Sequence, residues 1–146
     1  MKKLLILPLS LVLLLMSFVC FVSCTQEVDK EINTITDFSN FSSMTRATDR
    51  IEVTFDNHSG APFYFTIEDK EDIDEIMDII FSSSFQKQGK EMNDGDHTSI
   101  KIIQGENEYR MSVVNNKDGQ YYYSFSTTEL QDKIIELARE AGAYNK

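Results

Sequence analysis

The chain has 146 residues, 24 of them acidic and 14 basic, with a formal net charge of −10 at pH 7. That length allows one folded domain with an appendage. The acidic balance, with no basic stripe in any segment, excludes a surface built to track phosphate backbones, so no nucleic acid is expected as a partner.

The first 23 residues differ from the rest. Lys2 and Lys3 precede an apolar run from Leu4 to Phe21, broken only by Pro8, Ser10 and Ser17. A short basic end, a hydrophobic stretch and then small residues form the pattern of a secretory signal. The run is also close to the length of a membrane-spanning helix, so an uncleaved anchor and an ordinary cleaved signal stand as alternatives. The two cysteines, Cys20 and Cys24, lie four residues apart at its end.

Phe21-Val22-Ser23-Cys24 resembles the lipobox of bacterial lipoproteins: an aliphatic residue, a variable one, a small one and then cysteine. Val22, Ser23 and Cys24 fit, with Phe21 where leucine is usual. Cys20 does not fit, because Val19 stands where a small residue is needed. The resemblance implies that residues 1–23 are a signal peptide cut between Ser23 and Cys24. It implies that Cys24 is lipidated on sulfur and acylated, with palmitate-type chains, on its new amino group. Cys20 then leaves with the signal and the mature chain keeps neither a free thiol nor a disulfide. Within that class, the resemblance implies through Thr25 the outer membrane over the inner one, and Glu27, Asp29 and Glu31 are similar to the acidic tract that sends some lipoproteins to the cell surface. The processed chain keeps 12 basic against 24 acidic residues. Anionic headgroups repel such a body, so the acyl chains, not charge, are its hold on the membrane.

Residues 24–49 are rich in Ser, Thr and Asn without sustained periodicity and are expected to form a flexible tether. Phe38, Phe41 and Met44 do not suit a pure linker and point to docking or a short helical turn. The folded domain is expected over residues 50–146. "RIEVTF" alternates Ile51, Val53 and Phe55 against Glu52 and Thr54; after a turn cluster, "FYFTI" resumes the alternation. Together they predict a β-hairpin. Ile73, Ile76, Met77 and Ile80 form one helical stripe behind a candidate N-cap, Asp69. Residues 85–97 are polar, contain Gly89 and Gly95, and are expected as a long loop. "TSIKII", "EYRMSVV" and "QYYYSFS" predict three strands, with Tyr121, Tyr123 and Phe125 on the core face and turns at "QGEN" and "NNKDG". Leu130, Ile134, Leu137, Ala138 and Ala141 mark a final helix, capped through Ser126 with Glu129 or Thr128 with Gln131 and ended by Gly142. The order ββαβββα is an α+β class: an antiparallel sheet of about five strands with two helices packed on one face and the other face open.

No segment carries a catalytic signature, so an enzyme is not the expected function, and no cofactor or metal is expected. The seven carboxylates of Glu68–Asp78 lack the spacing and glycine of a calcium loop and read as the solvated face of a helix. "NDGD" at 93–96 reads as a turn. His58 and His97 are the only histidines, each in a turn-rich segment without a second ligand at metal spacing. No serine elbow or phosphate-binding glycine loop is present. Asn40-Phe41-Ser42 and Asn57-His58-Ser59 fit the glycosylation sequon, a short signal that belongs mainly to eukaryotic secretion. Tyr64 and Tyr122 are placed by alternation opposite the core face. Tyrosines on an open sheet can stack on sugars or anchor a protein partner. The expected function is therefore a membrane-anchored binding or interaction module of the bacterial envelope, with an unknown protein or glycan partner. The alternatives are a small envelope enzyme or inhibitor of an exported enzyme, with a cleft near Asp94 and His97, and a structural part of an envelope complex.

Overall fold

The computed structural model describes residues 32–56, 61–88, 98–119 and 121–143. The signal and Cys24, together with His58, Asp94 and His97, lie outside the described residues. In chain order the elements are β1 (Ile32–Asn33), two 3-10 turns (Ile35–Asp37 and Ser39–Phe41), β2 (Arg50–Phe55), β3 (Phe63–Ile67) and α1 (Lys70–Ser82). Then come β4 (Phe85–Gln88), β5 (Ser99–Gln104), β6 (Asn107–Ser112), β7 (Asn115–Asp118), β8 (Tyr121–Phe125) and α2 (Glu129–Glu140).

The class is α+β, with two helices and two antiparallel four-stranded sheets, ordered β3-β2-β5-β6 and β1-β4-β8-β7. The strands number eight among the described residues instead of about five, and they divide between two sheets. Residues 85–88, expected as loop, form β4, which pairs with β8 from Phe85↔Phe125 to Gln88↔Tyr122. Residues 115–118, expected as turn, form β7. Only Gly119 and Gln120 then separate β7 from β8, with Gly119 at φ +58°, the left-handed geometry that glycine adopts without steric cost.

The sheets meet through a bend in one long run of extended chain. The Val113 N–H still donates to the Thr98 carbonyl beside β5, while the Val114 carbonyl already accepts from Phe125 N–H of β8. Two consecutive residues thus belong to different ladders. The buried positions change parity there, from Tyr109, Met111 and Val113 to Asn116.

Residues 32–49, expected as part of the tether, are folded onto the domain and share its core. Ile35, Phe38, Phe41 and Met44 are all buried. Their spacing of three matches the repeat of a 3-10 helix, and Phe38, in extended geometry, joins the two turns. Phe38 stands edge-on to Phe85 and Tyr123, and Phe41 stacks on Tyr109 at 6.4 Å. Polar bonds fix the rest of the segment to the β5–β6 hairpin. Gln104 bonds Thr45 and Thr48, and Asp49 accepts the Gly105 N–H at 2.6 Å.

The helices complete the core. In α1, the Asp69 carboxylate accepts the N–H groups of Glu71 and Asp72, and Ile73, Ile76, Met77, Ile79 and Ile80 are buried. In α2, Leu130, Ile134, Leu137 and Ala138 are buried; Ala141, expected in that stripe, is exposed. Thr128 is the N-cap residue, but its hydroxyl donates to Asp132 and neither expected capping box is present. Gly142, at φ +87°, ends the helix, and the Ala143 N–H returns to the Ala138 carbonyl. Lys133 of α2 reaches Asp72 (2.9 Å) and Glu75 (2.6 Å) of α1.

Candidate functional site

Strand alternation sorts the first sheet into two faces. Ile51, Val53, Ile100, Ile102, Tyr109 and Met111 point into the core, leaving Glu52, Thr54, Tyr64, Thr66, Ser99, Lys101, Arg110 and Ser112 on the outer face. Register aligns them into two rows across the sheet. One runs Tyr64, Thr54, Ser99, Ser112; the next runs Thr66, Glu52, Lys101, Arg110.

The second row is an ion network. Lys101 pairs with Glu52 and approaches Glu108 at 3.8 Å, and Arg50 donates to Glu52 at 3.1–3.2 Å. The hydrogen bond from Lys101 is the main cause that holds the Glu52 carboxyl below its ordinary pKa, against a smaller opposing effect of desolvation. Arg110 stands 3.8 Å from Glu108 and is otherwise largely exposed.

Two adjoining grooves occupy this side. The first, about 360 Å3, lies over β3, β2 and β5 and is lined by Tyr64, Thr66, Glu52, Thr54, Lys101 and Arg110. The second, about 430 Å3, shares Ser99 and Arg110 with the first. It continues past the Val113–Val114 bend to Asn115, Asn116, Lys117 and Tyr122, and Asn40 and Phe41 of the second 3-10 turn close its far side.

Each of the two tyrosines singled out by alternation lines one of these grooves. Tyr64 is 69% exposed on β3, an edge strand. Tyr122 is half-buried on β8, opposite Gln88 and Lys117, with the Lys117 ammonium 5.8 Å from its ring centroid, within cation–π range. Arg110, with Ser99, lies between them as the common wall. Tyr121, expected in the core with Tyr123, is instead 40% exposed, and Lys87 stands 3.8 Å from its ring centroid.

Arg110, Lys117 and Asn116 carry no motif. The alternation of "EYRMSVV" does place Arg110 on the outer face, but the change of parity at Val113–Val114 hides the position of Asn116 from any such count. Among the described residues, no group of three or more His, Cys, Asp or Glu side chains is placed to hold a metal ion. The carboxylates of Glu68–Asp78 sit instead on or just before α1, where Asp72 and Glu75 pair with Lys133 and Asp74 with Lys70. No described helix is long and apolar enough to cross a membrane. The chain matches no family model, no curated protein and no solved structure.

Proposed function

We propose that the chain is an exported bacterial lipoprotein, held at the outer membrane through acylated Cys24, whose domain is a binding module for a partner in the envelope or at the cell surface. The address rests on the basic end, apolar run and Phe21-Val22-Ser23-Cys24 of the sequence. The binding role rests on one observation: two grooves, one with Tyr64 and the other with Tyr122, join through Ser99 and Arg110 into one polar, aromatic surface. Tyrosine in such a place combines a broad apolar ring with a polar tip and little conformational freedom to lose, which suits it to recognition.

Two experiments test the two halves separately. Cys24→Ala with metabolic fatty-acid labelling is expected to abolish label and membrane retention; persistence of either refutes anchoring at Cys24. Tyr64→Ala with Tyr122→Ala is expected to leave the thermal midpoint nearly unchanged, since neither ring is in the core, and to lose a partner cross-linked to the parent protein in its native envelope. Unchanged cross-linking refutes the tyrosine face.

A further inference from the structure

A strand at the edge of a sheet offers its N–H and C=O groups to another strand, and proteins guard such edges with charge or shortness. Among the described residues the two sheets have four edges, and three of them are guarded. β1 has two residues, β6 carries Glu108 and Arg110, and β7 carries Lys117 and Asp118. The fourth, β3, reads Phe63-Tyr64-Phe65-Thr66-Ile67, five residues of high strand propensity without a charge. Among the described residues it pairs with β2 alone. Phe63 and Phe65 are half-buried, and Tyr64 is exposed.

Charge and shape indicate what covers this edge. An open groove of about 230 Å3 runs beside the C-terminal half of β3, between it and the end of α2. Half-buried Phe65 and exposed Ala141 give it apolar surface, and Glu68, Asp69 and Glu140 line it with acid. A visiting strand must therefore bring apolar side chains and no carboxylate. In a chain of net charge −10, residues 61–67 are themselves such a strand.

We propose that β3 pairs with β3 of a second copy, antiparallel about a two-fold axis at Phe65, and joins two four-stranded sheets into one of eight. The contact is isologous, so each pairing occurs twice. Tyr64 lies opposite Thr66 of the other copy. Phe63 lies opposite Ile67 of the other copy and enters the groove between its β3 and α2. Glu68 and Asp69 fall opposite Pro62 and Ala61, whereas a parallel pairing would set Glu68 beside Glu68. The two acidic groove ends stand about 13 Å apart along the strands, four residues at the strand rise. That exceeds the Debye length of about 8 Å at physiological salt. The pairing does not depend on which envelope partner the grooves of the outer face take.

The test is a register-specific disulfide in the full chain, expressed in its native host and oxidised in intact cells. One tagged copy carries Tyr64→Cys and a differently tagged copy carries Thr66→Cys. Directly opposed residues of an antiparallel pair have Cα atoms about 4.5–5.5 Å apart, within disulfide reach, whereas residues two positions out of register are not. The mixed disulfide is expected in at least fivefold excess over that formed by either variant alone. Adding Phe63→Asp is expected to reduce it at least tenfold, because the carboxylate meets Glu68, Asp69 and Glu140 of the other copy. Phe63→Lys is expected to retain it. Each of these variants places one charge at the half-buried start of β3, so a shared fall in thermal midpoint reports folding and only their difference reports the groove. No excess of the mixed disulfide, a cross-link to a chain of another mass, or equal yields from the Asp and Lys variants overturns the proposal. The wider binding reading still stands or falls separately, on the Tyr64 and Tyr122 cross-linking.

Discussion

Phe38 meets Tyr123 edge-on, with ring centroids 4.6 Å apart and planes at 88°, and so fastens the N-terminal segment to β8. The same ring stands edge-on to Phe85 of β4 at 5.2 Å, so one side chain closes over two strands. Phe38→Ala is expected to cost about 3–5 kcal/mol, the range for removing a buried aromatic ring. A lowered urea midpoint with an unchanged slope would report it. A chain begun at residue 50 uncovers Phe85 and Tyr123 together. It is expected to lose cooperative unfolding, seen as a broad thermal transition by circular dichroism.

Lys133 joins the two helices, and its hydrogen bonds to Glu75 first and Asp72 second raise its pKa above the ordinary lysine value, against the opposing effect of burial. A raised folded pKa means that the contribution is complete below the unfolded lysine pKa of about 10.5 and is lost as pH rises beyond it. Lys133→Met is expected to lower stability by about 1.5–3 kcal/mol at pH 7, as for hydrogen bonds to charged groups. Denaturation series at pH 7 and at pH 11 should show that the penalty shrinks at the higher pH.

Glu52 shows the opposite sign. Its pKa is lowered, chiefly by the Lys101 hydrogen bond, so its contribution is present above the ordinary carboxyl value of 4.5 and is lost as pH falls through the folded pKa. Glu52→Gln is expected to lower stability by a constant amount above pH 6 and to flatten the acid limb of the stability curve. Carbon-detected NMR titration of the Glu52 carboxyl reads the shift directly, and a Lys101→Met variant should return it toward the ordinary value.

Asn116 offers a stability gain. Its carboxamide is buried without a partner among the described residues, so Asn116→Leu, of similar size, replaces a desolvated polar group by an apolar one. An increase in stability of about 1 kcal/mol is expected. A destabilised variant would instead mean that the carboxamide is satisfied in the native protein.

Much of this architecture was legible where one face of an element is apolar. The stripe Ile73, Ile76, Met77, Ile80 and the alternation of Ile51, Val53 and Phe55 locate α1 and β2, because burial on one side imposes the period. β4 was hidden because "FQKQ" has a single apolar residue and draws its stability from pairing with β8. β7 was hidden because "NNKD" is written in turn residues; its ladder partner imposes extended geometry on a sequence with little preference for it. The docking of Phe38, Phe41 and Met44 was legible only as an alternative to a tether, for a different reason. Its apolar spacing of three matches neither the strand period nor the α-helical one, but it is the period of the 3-10 turns that form there. Tyr64 and Tyr122 could be placed by counting along strands, whereas the grooves they line depend on which strands become neighbours. That order was not encoded in any local pattern.

The folded Ile35–Met44 segment also sets a distance. With the anchor proposed at Cys24, a leash running to residue 49 could span roughly 90 Å at full stretch, but one ending at residue 31 has only eight residues and a ceiling of roughly 28 Å. A domain of this size has a radius of gyration of about 13 Å. On that proposal the domain would stay within a shell about as thick as itself, and a partner would have to come down to the membrane to meet it.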